Sequence, residues 1–273
     1  MPTADFKESG LKLLPIVLLG IFLFQGLYLI RATSPTTDEV AFHMVNGYAY
    51  LKTHDYRMSP ANPPLLRQWM AVPWIFLNPK LNLEKESWRQ ADSVPFGVEF
   101  FYRDNRLMAD KLLYSARFMI LLLGVGLGVV IYRWSYELYG LAGGLLSLFL
   151  YTFIPSFLAH SSIAHTDVGV TLFCTLSAFF LWRYLEDARR SDLIGWVVAF
   201  GLAAAAKYNE LYPNLTGYQK FKPTLCFNDG RIVSYTILGG LIGALGSVIS
   251  LSARGTGILY IIASLVMIIL DFL

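Results

Sequence analysis

Two adjacent carboxylates follow the first long apolar stretch of the chain, in the sequence RATSPTTDEVAFHMVNGYAYL (31–51). Asp38 and Glu39 are neighbours there, and His43 lies four residues after Glu39, on the same face of a helix. A carboxylate in such a place can act as a general base towards a hydroxyl group. It can also cap a helix, because Thr36 and Glu39 have the spacing of a capping box. The cap explains Glu39 but gives Asp38 no structural role.

A second group of titratable residues lies in HSSIAHTD (160–167), between two apolar runs. Each histidine alone is explained as a hydrogen-bonded residue at a membrane interface, and Asp167 as the N-cap of the next helix. Together, however, His160, His165 and Asp167 are more titratable groups than a short turn needs. Lys207 ends a later apolar run, GLAAAAKYNE, where its ammonium group either reaches the interface or faces a phosphate.

Several of these side chains are types that ligate divalent cations. They are Asp38, Glu39, His43, His165 and Asp167. No contiguous metal-binding motif joins them, so we expect no obligatory cofactor and keep a divalent metal as the open alternative.

The composition places the chain among membrane proteins. Of its 273 residues, 55% are hydrophobic and only 15% are charged. The formal net charge of +3 does not predict a nucleic-acid-binding surface. The two cysteines are far apart and have no CxxC spacing, so neither a zinc site nor a disulfide framework is predicted.

The apolar runs predict an all-α polytopic membrane protein with about seven hydrophobic segments. These segments are 13–30, 118–134, 141–159, 168–185, 193–206, 232–251 and 258–273. The fifth has only 14 residues and would span about 21 Å at ~1.5 Å per residue. It is therefore either a tilted helix or a re-entrant half-span.

The distribution of basic residues predicts the orientation. Lys7 and Lys12 precede the first segment, Arg133 ends the second, and RYLEDARRSD follows the fourth, so a cytoplasmic N-terminus puts all of them inside. The long loop 31–117 and the short loop 160–167 then both lie on the external face. Both acid-bearing loops are thus expected on one side of a multi-pass protein, most simply in a bacterial or archaeal plasma membrane.

The long external loop is expected to be partly helical. Val40, Met44, Tyr48 and Leu51 recur at helical spacing and predict an amphipathic helix on the membrane surface. Further along, the tryptophans of RQWMAVPWIFL, Trp69 and Trp74, are typical of interface anchors.

Residues 11–208 resemble the polyprenyl-phosphate-dependent glycosyltransferases of the protein O-mannosyltransferase and aminoarabinose-transferase-like type (family 39). The resemblance rests on four stretches in the same order relative to the apolar segments. They are TTDEVAFHMVNGYAYL, NPPLLRQWMAVP, AHSSIAHTDVGVTLFCTLSAFFLWRYLE and GLAAAAKYNE. The resemblance implies the C-type glycosyltransferase fold in this part of the chain.

The resemblance also implies a reaction: a sugar moves from a polyprenyl- or dolichyl-phosphate donor to an acceptor hydroxyl at the external membrane face. The acceptor would be a protein Ser or Thr, a lipid or a glycan. The acids carried over as catalytic are Asp38 and Asp167. The residues expected to bind substrate are Glu39, His43, His165, Lys207 and Arg67, the last from NPPLLRQWMAVP.

The chain is expected to change character after this part. Residues 1–208 are predicted to be a partial glycosyltransferase membrane domain, 209–230 a polar linker with an N-x-T sequon at Asn214, and 231–273 a two-span segment. The stretch GRIVSYTILGGLIGALGSVISL resembles a span of the TauE/SafE sulfite-exporter-like proteins. We therefore expect a truncated or chimeric chain. A permease and a non-catalytic membrane remnant are the alternative functions.

Overall fold

The computed structural model describes residues 3–59 and 63–206, which form α-helices and short π- and 3-10-helical turns without any β-strand in those ranges. The α-helices are α1 (Thr3–Ala32), α2 (Val45–Thr53), α3 (Pro64–Leu77), α4 (Glu86–Arg89), α5 (Ser93–Glu99), α6 (Ala109–Phe153), α7 (Pro155–Ser161), α8 (Asp167–Asp187) and α9 (Arg190–Ala206). The predicted all-α fold class is confirmed for this part of the chain.

Three stretches of the described residues are long and apolar enough to cross a membrane: Leu13–Ala32, Arg106–Phe153 and Asp167–Asp187. The protein is therefore an integral membrane protein. The predicted number of seven segments is not confirmed. The fifth lies within α9, whose 17 residues extend about 26 Å at ~1.5 Å per residue. The sixth and seventh segments, like the predicted linker 209–230, lie outside the described residues.

The second predicted segment and most of the third lie in α6, which turns back on itself at Gly140. Gly140 has φ 68° and ψ −165°, a backbone conformation that side chains with a Cβ rarely adopt. We call the part of α6 before Gly140 (109–139) the first limb and the part after it (141–153) the second limb. The second limb packs back along the first, as shown by the hydrogen bond that the Tyr151 hydroxyl donates to the Gly124 carbonyl at 2.7 Å. In one straight helix these residues would be about 40 Å apart.

The third predicted segment, 141–159, is interrupted, which the apolar pattern did not predict. The second limb of α6 ends at Phe153, and Ile154 is extended because the proline that follows disfavours helical geometry there. Pro155 then begins α7, which includes His160. The short helix α7 and the turn after it connect the second limb to α8.

The long loop forms a helical layer with its own core, and this corrects the predicted surface helix. A π-helical turn (Glu39–Met44) leads directly into α2, and every residue from 39 to 50 except Phe42 is buried. The helix is thus surrounded by protein on nearly all sides instead of lying on a membrane surface. Gly47 permits this, since a Cβ there would collide with the backbone carbonyl of Arg67 on α3.

The interpretation of Trp74 as an interface anchor is wrong. Its ring is completely buried, stacks on Phe100 with centroids 5.6 Å apart, and donates its indole N–H to the Leu112 carbonyl at 3.1 Å. Trp69 is 37% exposed and donates its indole N–H to the Met119 carbonyl at 2.9 Å. Both tryptophans therefore fasten α3 to the first limb of α6.

The turn at Gly140 generates a stability prediction. Gly140→Ala should lower the free energy of unfolding by roughly 1–3 kcal/mol through backbone strain alone, because a Cβ there meets no atom within 4 Å. Gly20→Ala is the matched control, since a Cβ at this helical position is equally unobstructed; it should be neutral or stabilising. The apparent melting temperature in detergent measures both. Equal effects would contradict the role of Gly140.

Candidate active site

The helix that carries the adjacent acids begins with the predicted capping box. The Thr36 backbone N–H donates to Glu39 Oε2 at 2.8 Å, and the Glu39 backbone N–H donates to Thr36 Oγ1 at 3.3 Å. This prediction is confirmed. The cap fixes the first turn of the helix, and Asp38 lies in that turn with its side chain exposed to solvent.

The Glu39 side chain is fully buried and joins three separate segments of the chain. Its two oxygens accept hydrogen bonds from Arg117 Nε at 2.7 Å and from Arg117 Nη2 at 2.8 Å. Oε1 also accepts the Ala164 backbone N–H at 2.7 Å. Glu39 therefore fastens the helix that bears Asp38 to α6 and to the loop that bears Asp167.

Arg117 uses its remaining donors to close the end of α1. Nη1 donates to the carbonyls of Ile30 and Thr33 at 3.0 and 2.9 Å, and Nη2 donates to the Ser34 carbonyl at 2.8 Å. The last carbonyls of a helix have no partner within the helix, so the guanidinium satisfies groups that would otherwise be buried and unpaired. Arg117 is not among the site residues predicted from the sequence, because an arginine just before an apolar run is typical of a membrane interface.

The environment of Glu39 determines its ionisation. Burial by itself would raise the pKa of the Glu39 carboxyl. The hydrogen bonds from Arg117, Ala164 and Thr36 and the charge of Arg117 outweigh burial and hold the pKa below its usual value of 4.5. Glu39 is consequently an anion at neutral pH and a permanent partner for the Arg117 cation.

The second acid-bearing loop presents a cluster of imidazole groups around Asp167. His165 Nδ1 lies 3.0 Å from Asp167 Oδ2, and His160 Nδ1 lies 4.0 Å from the same oxygen. On its other side His165 packs edge-to-face against His43, with ring centroids 4.6 Å apart. The structure thus brings together His43, His165 and Asp167, all three of which were predicted from the sequence as site residues.

A cavity of about 250 Å³ opens beside Asp167. Its lining combines polar groups with an apolar wall: Leu127, Ser156, Phe157, His160, Asp167, Val168 and Thr171. The Asp167 side chain is 39% exposed and His160 is 51% exposed, so both can contact a bound molecule. This lining could hold an uncharged polar group such as a sugar hydroxyl.

Two other predicted site residues have structural partners. Arg67 is fully buried, and its guanidinium donates to the Ser59 carbonyl and Oγ and to the Tyr50 hydroxyl, each at 3.0 Å. Glu39 likewise has no accessible surface. Direct contact of either side chain with substrate is therefore not supported by the structure. Lys207 lies outside the described residues.

A metal site receives no support from the geometry. Among residues 3–59 and 63–206, no group of three or more His, Cys, Asp or Glu side chains is arranged to hold a metal ion. In the cluster around Asp167, imidazole and carboxylate groups contact one another instead of converging on a shared point.

Comparison with known families agrees with the resemblances found in the sequence. Residues 93–219 match the model of the dolichyl-phosphate-mannose-protein mannosyltransferase family. Residues 194–273 match the model of the cytochrome c biogenesis protein transmembrane region. The glycosyltransferase resemblance is thereby confirmed over 93–208, and the sulfite-exporter-like resemblance lies wholly within the second match. No curated protein and no solved structure matches the chain.

The first match points to a membrane glycosyltransferase. It covers the loop with His165 and Asp167, the first limb of α6 with Arg117, and the whole of α8. Asp38 and Glu39 lie before the matched range. They are connected to it physically, through the bonds of Glu39 to Arg117 and Ala164.

The buried ion pair predicts a pH-dependent stability. Glu39→Gln leaves the Arg117 cation buried without its counter-ion, which should cost about 3–5 kcal/mol at pH 7. Because the pKa of Glu39 is lowered in the folded protein, the stabilisation by its charged form is complete above pH ~4.5 and is lost as pH falls through the lowered pKa. The difference in melting temperature between wild type and Glu39→Gln should therefore be constant near neutral pH and shrink in acid.

Asp38→Asn is the control for that experiment, because it removes the same charge one residue earlier from an exposed side chain. It should change the free energy of unfolding by no more than about 0.5 kcal/mol. A destabilisation by Glu39→Gln that does not vary with pH would show that the effect comes from packing and not from the ionised pair.

Proposed function

We propose that the protein is a membrane glycosyltransferase that moves a sugar from a polyprenyl- or dolichyl-phosphate donor to an acceptor hydroxyl. The observation that carries the proposal is the match of residues 93–219 to a dolichyl-phosphate-mannose-protein mannosyltransferase model. The Glu39 bonds support it, because they hold the helix start with Asp38 against the matched loop with Asp167.

Asp38 is proposed as the general base. Its carboxylate is exposed, and it lies on a turn fixed by the capping box and by the buried Glu39. The acceptor hydroxyl gives its proton to Asp38 as its oxygen bonds to the sugar C1. The bond between C1 and the phosphate oxygen breaks, and the lipid phosphate leaves with the electron pair. Inversion at C1 is expected from the resemblance.

Asp167 and its histidines are proposed to orient the substrate. The Asp167 carboxylate is partly exposed at the cavity, while His165 behind it is 24% exposed and packs on His43. This packing limits the movement of the carboxylate, so that it can accept hydrogen bonds from sugar or acceptor hydroxyls in one orientation. His43 and His165 thus act mainly by positioning Asp167.

The leaving lipid phosphate needs cationic partners as its charge develops. Lys207 is proposed for this task from the family resemblance. Arg67 and Glu39 are proposed as positioning residues, since their polar atoms are bound to protein groups. Arg67 holds the segment around Ser59, and Glu39 holds the start of the catalytic helix.

The orientation and partners follow from the same proposal. The N-terminus is cytoplasmic, and the site lies on the external face, where a lipid-linked sugar and an acceptor protein, lipid or glycan can meet. Dolichyl-phosphate mannose with a Ser/Thr peptide is the first pair of substrates to test, because the matched family model is described by that donor and by protein acceptors.

The test is transfer of radiolabelled mannose from dolichyl-phosphate mannose to a Ser/Thr peptide by the full chain in proteoliposomes. Asp38→Asn should lower the rate by about 10²- to 10⁴-fold without changing the apparent melting temperature, since a general base is lost from an exposed position. Asp187→Asn is the control, because it removes an exposed carboxylate at the other end of α8. Equal rates for wild type and Asp38→Asn would exclude Asp38 as the base, and wild type without transfer from any polyprenyl-phosphate sugar would contradict the proposed activity.

The second candidate function is a permease of the sulfite-exporter-like type, proposed from the resemblance of the C-terminal stretch, which lies within the range of the second family match. This candidate predicts uptake of sulfite into proteoliposomes that contain the full chain, at a rate that is unchanged in Asp38→Asn. Liposomes without protein give the background rate. Uptake at that background rate would exclude the candidate.

A further inference from the structure

A groove of about 560 Å³ lies between the end of α1 and the beginning of α6. Its lining comes from Leu27, Ile30, Arg31, Asp110, Lys111, Tyr114, Ser115 and Phe118. The volume is within the range of roughly 300–1,000 Å³ that is common for sites of small ligands. It shares no residue with the cavity beside Asp167.

One end of the groove is cationic. Arg31 and Lys111 are both exposed, and in the described part of the chain neither side chain forms an ion pair or hydrogen bond with another residue. Asp110 also lines this end, so the two cations and one carboxylate give a local charge of +1. The Tyr114 hydroxyl provides a further hydrogen-bond donor. This end is therefore suited to an anion that carries several acceptor oxygens.

The other end is apolar. Its wall, which we call the apolar wall, consists of Leu27 and Ile30 of α1 and Phe118 of α6. Phe118 is 39% exposed although it lies inside an apolar segment that crosses the membrane. An exposed aromatic ring at that depth contacts hydrocarbon and not water.

The position of the groove along the helices fits the boundary of a bilayer. The apolar span of α1 ends at Ala32, one residue after Arg31, and Lys111 lies in the first turn of α6. The two helices run antiparallel, since Arg117 of α6 bonds the Ile30 carbonyl of α1, while Leu121, one turn later in α6, lies against Gly26, one turn earlier in α1. The cationic end is thus at the headgroup level, and the apolar wall extends into the acyl region.

We propose that a bilayer phospholipid with an anionic headgroup binds in this groove, with its phosphate between Arg31 and Lys111 and one acyl chain along the apolar wall. Along α6 the lining residues follow in the order Lys111, Tyr114 and Phe118, which complements the phosphate, the glycerol esters and the acyl chain of such a lipid. The site is separate from the proposed sugar-transfer site and does not depend on it. It would connect α1 to α6 next to the ends that Arg117 holds together.

Native mass spectrometry of the full chain in detergent tests the proposal, with phosphatidylglycerol and phosphatidylcholine titrated separately. Wild type should bind one phosphatidylglycerol more tightly than phosphatidylcholine. The double variant Arg31→Gln/Lys111→Gln should weaken phosphatidylglycerol binding on the order of 20-fold, because each basic group near the headgroup contributes several-fold to the affinity. Binding of phosphatidylcholine should change little.

Two single variants make the test specific. Arg106→Gln removes a cation from an exposed residue at the same end of α6 but outside the groove, and should leave the affinity within about two-fold. Asp110→Asn removes the carboxylate from the groove and should tighten phosphatidylglycerol binding. Equal weakening by Arg106→Gln and by the double variant would overturn the proposal, since binding would then follow net surface charge. Displacement of phosphatidylglycerol by an equimolar polyprenyl phosphate would also overturn it.

Discussion

The structure around the candidate site depends on one buried ion pair, Glu39 with Arg117. The guanidinium of Arg117, on α6, bonds the Ile30 carbonyl of α1, the Ser34 carbonyl just after α1 and the carboxylate of Glu39. The attraction within a buried ion pair offsets the cost of removing both charges from water only when nearly every donor and acceptor of the pair is hydrogen-bonded. Here the carboxylate receives additional N–H groups from Thr36 and Ala164, so this condition is met. Loss of either charge would leave the other buried and unpaired.

This arrangement separates the roles of two adjacent acids. Glu39 is buried and fixed by hydrogen bonds, whereas Asp38 is exposed on the same helical turn. A rigid neighbour reduces the conformational freedom of an exposed carboxylate, which suits the general-base role proposed for Asp38. The same bonds hold Asp38 and Asp167 in segments that contact each other, although the two residues are more than a hundred positions apart in the sequence.

Some features could be predicted from the sequence because they depend on local or averaged properties. The apolar composition predicted membrane helices, and the spacing of Thr36 and Glu39 predicted the capping box, since a cap involves only neighbouring residues. Features that depend on distant partners were predicted poorly. The helical spacing after Thr36 suggested a surface helix, because periodicity shows one apolar face but cannot show that protein covers the remaining faces. Trp74 was assigned to the membrane interface for a similar reason.

The sequence by itself determined the class of protein, the start of the acid-bearing helix and the residue types available for chemistry, because hydropathy, capping and ionisable groups are properties of short stretches. Only the tertiary structure decided that Glu39 pairs with Arg117, that α6 reverses at Gly140, and that His165 lies between His43 and Asp167. These depend on contacts between residues far apart in the chain. The free energy of these contacts comes from burying the residues together and from pairing their hydrogen-bond donors and acceptors. A short stretch of sequence does not show which distant residues will be paired in this way.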